Sequence, residues 1–431
     1  MKPREKWSSS AGFILASIGS AVGIGNIWRF PYIVGTSGGG AFLIPYLIAV
    51  FLFGLPLMIL EFALGRYFKT SVVPIFGTIG KRFRVAGLFL VFIVGMILSY
   101  YLVVMGWVFA YFLFFISGAA MPFSMFTGSY YPLFFFLIAG WMSYYVVRSG
   151  VRQGIEKLSK FLIPLLFIML LILVVFALSL PGAARGIEFY LTPDFGKLSD
   201  PFIWTAAFGQ AFFSLSAGMG IMLTYGSYMR GERIVKDSVI IAVSDTLVAL
   251  LGGFMIFPIV FSFGVDPASG VKLAFVTLPP IFQEMRFGLL LGAVFFLLLF
   301  IAAITSAVSM MELPVATLID FFGFERRRAA LAVSVIVILA GLPSALSYSA
   351  LKLELFGMPL LDISDFAFGT IGIIACGLVL SIVAGWFLDH GVISRQIGGG
   401  VWTQRLFMLI IKFIIPVVLF VNLVVRVIGY V

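Results

Sequence analysis

The sequence predicts an all-α protein that crosses a membrane many times. Hydrophobic residues make up 62% of its 431 residues and charged residues only 11%, whereas soluble domains carry about 45–50% apolar and about 25% charged residues. Apolar runs of about 20 residues, long enough to cross a bilayer as a helix, recur along the whole chain. Because these runs do not alternate apolar and polar residues, they exclude a membrane β-barrel. A water-soluble fold is excluded as well.

Reading the chain for such runs gives eleven candidate spans, numbered here in chain order. They cover roughly residues 9–35, 41–68, 86–117, 131–147, 160–180, 202–228, 238–263, 289–319, 329–346, 364–388 and 406–428.

The placement of positive charge orients these spans. Of the 28 Lys and Arg residues, 20 fall at the N-terminus and in every second loop, and 5 fall in the other loops. Because positive residues favour the cytoplasmic side, we expect a cell-membrane protein with its N-terminus in the cytoplasm and its C-terminus outside. The net charge of +10 is thereby explained, and we expect no nucleic-acid partner.

Two spans carry matching interruptions. The first contains GSAVGIGN at residues 19–26, and the sixth contains SLSAGMG at residues 214–220. Glycine weakens a helix, and Ser and Asn bond freed backbone groups. Close packing of small residues is the simpler explanation, but paired interruptions favour a transporter site, where half-helix ends and freed carbonyls hold a substrate and cations. Their spacing predicts two five-helix repeats, and the predicted units are residues 1–180, 181–388 and 389–431.

Several ionisable or hydroxyl side chains lie within the apolar spans, where such groups usually face a partner or a cavity. Asp245 could be a cation ligand or a neutral buried carboxyl. Glu61 and Glu312 are better explained as protonated structural donors than as ligands. The hydroxyls of residues 305–306 have a simple explanation in hydrogen bonds to carbonyls one turn earlier.

Short motifs follow one another from the first span to the tenth: AVGIGNIWRFP at residues 21–31, GGGAFLIPY at 38–46, SYY at 99–101, QAFFSLS at 210–216, TS at 305–306 and DF at 365–366. In these motifs and their order, the chain closely resembles the neurotransmitter:sodium symporter family, and in particular its prokaryotic amino-acid transporters. The resemblance implies sodium-coupled symport by alternating access, with spans 1–5 and 6–10 as an inverted repeat. The alternative is a sodium-independent amino-acid exchanger of similar architecture. No enzyme is expected, since the lone His390 and Cys376 belong to no catalytic constellation.

The resemblance also implies two sodium sites. The first would use the carbonyl of Ala21, the side chains of Asn26 and Ser214, and a ligand from the seventh span. Alignment of that span leaves Ser244 and Asp245 open; we prefer Asp245, because its charge would replace the bound anion of chloride-dependent relatives. No chloride requirement is therefore expected. The second site would use the carbonyls of Gly19, Val22 and Ala302 with the hydroxyls of Thr305 and Ser306.

The implied substrate is an amino acid with a large aliphatic or aromatic side chain. Gly23 stands where monoamine-transporting relatives carry Asp, so the substrate's own carboxylate would reach the sodium ion, the helix breaks and the Tyr101 hydroxyl. The side-chain end would be walled by Ile24, Ile97, Phe213, Met219 and Met310. The other implied contacts are Ser20, Ala21, Gly25, Ser214, Ser216 and Ser306.

Two gates complete the expectation. Arg29 and Asp365 would close the outer side over Phe213. Arg4 and Asp320, supported by Trp7, Ser227 and Tyr228, would close the inner side. The expected partners are thus the amino acid, sodium ions and the lipid bilayer.

Overall fold

The computed structural model describes residues 4–231, 233–267 and 274–428. Within these ranges, eight helices are long and apolar enough to cross a membrane. They are Gly39–Phe68, Lys81–Ser117, Val151–Leu178, Ile234–Ser262, Gly288–Phe322, Arg326–Leu346, Leu360–Phe387 and Val401–Ile428. The predicted all-α membrane fold is confirmed.

The other three predicted spans also coincide with helices. The first is a pair, Ser10–Ala21 and Gly25–Thr36, bent by 49°. The fourth is Tyr131–Arg148, and the sixth is a pair, Pro201–Ser214 and Ile221–Gly226. Counting the bent first pair as one span gives nine by length and composition in the described residues, so a total of eleven crossings stays a prediction.

Shorter elements connect the spans. In the described ranges, they include the helices Val72–Ile79, Phe123–Thr127, Ala183–Leu191, Leu278–Glu284 and His390–Ile397, the 3-10 turn Phe195–Ser199, and two paired antiparallel strands, Glu354–Leu355 and Met358–Pro359. The two-residue strands are the one departure from an all-helical chain within these ranges.

Both predicted interruptions are present. The first helix stops at Val22, whose backbone is extended with φ −69° and ψ 110°. In the sixth span the backbone turns left-handed at Ser216, Gly218 and Gly220, with φ of 49°, 85° and 86°. Glycine adopts this region without steric cost, which explains two of the three residues. The breaks in spans one and six are therefore confirmed, whereas the inverted repeat and its boundaries stay predictions.

Burial distinguishes the spans at the centre of the molecule from those at its edge. In the most apolar window of the eighth span, 78% of residues are buried, against 22% in the eleventh. The eighth span therefore lies in the core beside the first, and the eleventh lies at the periphery.

Candidate substrate and sodium sites

A small cavity of about 30 Å³ lies where the two breaks meet. Twelve of the predicted substrate residues line it, together with Asn26 and Ile373, a residue of the tenth span that the sequence did not single out. Ile24 is buried but does not line the cavity. The lining residues are Ser20, Ala21, Gly23, Gly25, Asn26, Ile97, Tyr101, Phe213, Ser214, Ser216, Met219, Ser306, Met310 and Ile373.

One end of this cavity is polar. The buried Tyr101 hydroxyl lies beside Ser306 without a well-aligned hydrogen-bond partner. A Cβ atom at Gly23 would lie 3.5 Å from the Tyr101 oxygen and 2.9 Å from Ser306 Oγ. A side chain at position 23 would therefore fill the space between the first span and these hydroxyls.

Asn26, Ser214 and Asp245 form a closed hydrogen-bonded cluster beside the cavity. Asn26 Nδ2 donates to Ser214 Oγ (2.8 Å) and Asp245 Oδ1 (2.7 Å), and Ser214 Oγ donates to Asp245 Oδ2 (2.7 Å). Asn26 Oδ1 accepts from the Gly23 amide at 2.9 Å. Of the two seventh-span candidates, the structure brings Asp245 into the cluster and leaves Ser244 partly exposed.

Asp245 is fully buried. In the described part of the chain, no basic side chain pairs with it within 4.0 Å. Buried charges in proteins are normally paired with an opposite charge or bound to a metal. A carboxylate held only by hydroxyl and amide groups is therefore suited to receive a cation.

A second group of oxygens converges between the first and eighth spans. Ser306 Oγ lies 3.4 Å from the carbonyl oxygens of Gly19 and Ser20 and 3.3 Å from that of Val22. Thr305 Oγ1 lies 3.0 and 3.1 Å from the carbonyls of Ile301 and Ala302. A hydroxyl group has one proton and can donate one good hydrogen bond. The Ser306 hydroxyl therefore cannot satisfy all three carbonyl oxygens that surround it. Thr305 thus makes the predicted hydrogen bond to carbonyls one turn earlier in its own helix. Ser306 instead faces carbonyls of the first span.

The two buried glutamates differ from expectation. Both oxygens of Glu61 accept hydrogen bonds, from the Gly218 amide (2.8 Å) and the Gly220 amide (2.5 Å). Glu61 thus caps the broken sixth helix as an acceptor, not as the expected donor. Glu312 also accepts, from Arg326 and Tyr228, each at 2.6 Å. Arg326 lies between the eighth and ninth predicted spans, so nothing in the sequence pointed to this buried ion pair.

The residues predicted to close the inner side are in contact with one another in the structure. Arg4 pairs with Asp320, donates to Ser227 Oγ at 2.5 Å, and lies 4.7 Å from the ring centre of Tyr228. Trp7 is fully buried and donates to the Tyr225 carbonyl at 3.0 Å. These contacts join the segment before the first span to the sixth and eighth spans at the end of the molecule predicted to face the cytoplasm.

The predicted outer pair is not formed in this structure. Arg29 donates to Gln210 Oε1 at 3.0 Å and lies 4.8 Å from the ring centre of Phe213. Within the described ranges, it makes no ion pair with Asp365, whose carboxyl lies beside the Tyr100 hydroxyl. In this structure Arg29 thus contacts Gln210 and the Phe213 ring in place of Asp365. An Arg29–Asp365 gate stays a prediction.

Comparison with known proteins agrees with this geometry. The model of the sodium:neurotransmitter symporter family matches residues 4–130 and 123–431. An uncharacterised sodium-dependent transporter of Methanocaldococcus jannaschii is 38% identical over 453 residues, spanning 97% of this chain and 90% of the relative. A sodium- and chloride-dependent taurine transporter of Homo sapiens is 31% identical over 380 residues, spanning 74% of this chain and 61% of the relative.

The fold is shared with a solved structure. The crystal structure of MhsT in complex with L-phenylalanine superposes with a TM-score of 0.91 at 38% identity, covering 98% of this chain and 100% of MhsT. The chain is thus a multi-pass membrane transporter and not an enzyme. It belongs to the sodium:neurotransmitter symporter family.

Proposed function

We propose that the chain is a sodium-coupled symporter that imports an apolar amino acid. The observation that carries this proposal is the fully buried Asp245 carboxylate, hydrogen-bonded to Asn26 and Ser214 beside the cavity at the two helix breaks. A cation bound there would neutralise the carboxylate and present positive charge to a substrate carboxylate. Binding of the two ligands would then be coupled by electrostatics.

The cavity favours an amino acid with an uncharged side chain. Its polar end has the Tyr101 hydroxyl and the unwound backbone at Gly23, which suit a carboxylate. Its other walls include Phe213, Met219 and Met310, and none of its lining residues carries a charge. L-phenylalanine bound to MhsT supports a large apolar substrate. Methionine side chains adapt to different shapes, so both aliphatic and aromatic substrates are expected.

The size of the cavity supports alternating access as the transport mechanism. A volume of about 30 Å³ is roughly a tenth of that of small ordinary ligand pockets, so the walls must part to admit an amino acid. Within the described residues, the Arg4–Asp320 ion pair is formed and an Arg29–Asp365 ion pair is not, which supports an outer side that opens first. We also propose two five-helix repeats over residues 1–180 and 181–388, and the N-terminus in the cytoplasm.

Two sodium ions and no chloride are proposed. Asn26, Ser214, Asp245 and the Ala21 carbonyl would hold one ion. The carbonyls and hydroxyls of residues 19, 22, 302, 305 and 306 would hold the other, and the convergence of oxygens on Ser306 supports this.

Equilibrium binding of labelled leucine, phenylalanine and tryptophan to purified protein tests the function. We expect binding in sodium buffer, loss of binding when potassium replaces sodium, and competition by other apolar amino acids but not by lysine or glutamate. Binding that is equal in potassium and sodium would refute the coupling and favour the exchanger.

Removing the inner arginine should shift the protein towards states open to the cytoplasm. Arg4→Ala loses the bonds to Asp320 and Ser227, so the inner half of the first span should separate more readily. Ser17→Cys in a Cys376→Ala background gives a buried reporter on that half-helix. We expect its labelling by a cytoplasmic thiol reagent to become several-fold faster with Arg4→Ala.

The matched control for this variant is Arg327→Ala, which removes an exposed arginine predicted to lie on the same side. It should leave the labelling rate unchanged. An equal rate in the Arg4→Ala and parent proteins would contradict the inner gate.

A further inference from the structure

A lysine lies inside the last span, at the edge of the molecule. Lys412 belongs to the helix Val401–Ile428, in which 22% of the most apolar window is buried. Its side chain is half-buried. In the part of the chain that the structure describes, no carboxylate lies within 4.0 Å of its ammonium group. Because charges within spans usually face a partner or a cavity, Lys412 is suited to an anionic partner from outside the chain.

The tenth span positions this lysine. The indole Nε1 of Trp386 donates to the Lys412 carbonyl oxygen at 2.8 Å, and the Lys412 ammonium lies 4.5 Å from the centre of the same ring system. A Cβ atom at Gly385 would lie 3.2 Å from the Lys412 Cα atom, so the two helices are in close contact. Both contacting segments are π-helical, Val383–Phe387 and Ile410–Ile414, and such segments are frequent at functional sites.

These contacts place Lys412 near one face of the bilayer. Trp386 is the second-last residue of the helix Leu360–Phe387, at the end predicted to face the cytoplasm, and tryptophan favours the level of the lipid headgroups. The last helix has 28 residues and is about 42 Å long, so it extends beyond a hydrocarbon core of about 30 Å. Since long lysine side chains reach towards the interface, the Lys412 ammonium is within reach of lipid phosphate groups of the cytoplasmic leaflet.

The surface around Lys412 has a charged end and an apolar end. The exposed Arg405 lies in the same helix, about two turns nearer the cytoplasm. In the other direction, Phe413, Val417 and Phe420 are each at least half exposed and lead towards the centre of the bilayer. A cation at the level of the phosphates, continued by an apolar face, matches a phospholipid better than a free anion.

We propose that an anionic phospholipid of the cytoplasmic leaflet binds at the junction of the tenth and eleventh spans. The Lys412 ammonium pairs with its phosphate, and Arg405 adds a second positive charge at the headgroup. One acyl chain packs along Phe413, Val417 and Phe420. A zwitterionic headgroup carries its own cation beside the phosphate, so a lipid with a net negative charge is preferred. This site is separate from the proposed substrate and sodium sites, and its test does not depend on transport.

Thermal unfolding of the purified full chain in micelles of an uncharged detergent tests the proposal. Phosphatidylglycerol replaces phosphatidylcholine stepwise, at constant total lipid and constant ionic strength. We expect the unfolding midpoint to rise and saturate for the parent and for Lys69→Met, which removes an exposed lysine predicted to lie on the same side. One lysine near an anionic lipid surface contributes about fivefold in affinity. Lys412→Met should therefore raise the half-saturating fraction of phosphatidylglycerol by about that factor.

Two further variants test the same contacts independently. Lys412→Arg keeps the charge and should respond to phosphatidylglycerol like the parent. Trp386→Leu removes the indole contacts of Lys412 and should weaken the response, and it also serves if Lys412→Met does not fold.

Three results would overturn the proposal. The first is the absence of any response of the parent to phosphatidylglycerol. The second is an equal half-saturating fraction in Lys412→Met and Lys69→Met, which would show that the lipid acts through general surface charge. The third is a rise in the midpoint when potassium phosphate replaces potassium chloride in phosphatidylcholine micelles, if Lys412→Met abolishes that rise, because the site would then bind a free anion.

Discussion

Asp245→Asn should abolish sodium-dependent amino-acid binding at ordinary sodium concentrations. The amide keeps the size of the side chain and one oxygen for Asn26 and Ser214, but it removes the negative charge. Loss of one partner of a buried, hydrogen-bonded charge pair costs about 2–5 kcal/mol, which corresponds to at least about 30-fold in sodium affinity. Sodium titrations of labelled leucine binding would measure the shift.

Two controls test whether a loss of sodium affinity in Asp245→Asn comes from the lost charge or from a disturbed structure. Ser244→Ala changes the neighbouring seventh-span residue, which lies outside the cluster, and should leave sodium affinity unchanged. Asp245→Asn should be at least as stable as the parent to thermal unfolding in potassium buffer, because the amide removes a buried charge that no sodium ion compensates there. A sodium affinity in Asp245→Asn within threefold of the parent would exclude Asp245 as a ligand.

The same charge accounts for the proposed chloride independence. Uptake by the parent should be unchanged when gluconate replaces chloride. Asp245→Ser keeps an oxygen but loses the charge, so we expect it to regain sodium-dependent uptake only when chloride is present. A large loss of parental uptake in gluconate would refute the assignment of this carboxylate as the substitute for a bound anion.

Arg326→Met should be the most destabilising single change among those considered. Its guanidinium donates at 2.6 Å to Glu312, whose side chain is completely buried, and also pairs with Glu5 at 3.2 Å. Removing one partner of a buried ion pair costs about 3–5 kcal/mol, because the remaining charge is left uncompensated. Unfolding in mixed detergent micelles would report the loss of stability.

A double variant tests this explanation. Glu312→Gln removes the buried charge, so Arg326→Met should cost much less in its presence, and the double variant should be more stable than Arg326→Met alone. Arg328→Met, at an exposed neighbouring position, should have little effect. Additive costs in the double variant would show that Arg326 acts through other contacts.

The helix breaks could be predicted because matched glycine and polar clusters interrupt two apolar spans, and most of the pocket was implied by the resemblance to the symporter family. Ile373 gave no such signal, since one more isoleucine in an apolar helix is indistinguishable from its neighbours. The choice between Ser244 and Asp245 depended on the rotation of a helix, in which adjacent residues point about 100° apart. Sequence alone left that rotation open, and the structure brings Asp245, not Ser244, into hydrogen-bond contact with Asn26 and Ser214.

The partners of the arginine side chains were predicted less well than the polar residues around the two helix breaks. Arg4 and Asp320 were paired by resemblance, and the structure brings them together. Arg326 lies between two predicted spans and looks like a loop residue in the sequence, yet its long side chain reaches the buried Glu312. Arg29 was assigned to Asp365, but Gln210 and Phe213 engage it instead. Long side chains have several partners within reach, and only their packing selects one.

The cap provided by Glu61 has a consequence for how the protein is made. The amides of Gly218 and Gly220 depend on an acceptor 157 and 159 residues earlier in the chain. Unsatisfied amides in the bilayer core cost several kcal/mol each. Synthesis proceeds from the N-terminus, so the second span and its carboxylate are already in the membrane when the sixth span emerges from the ribosome. A Glu61→Ala chain would leave both amides without this acceptor and should insert the sixth span poorly.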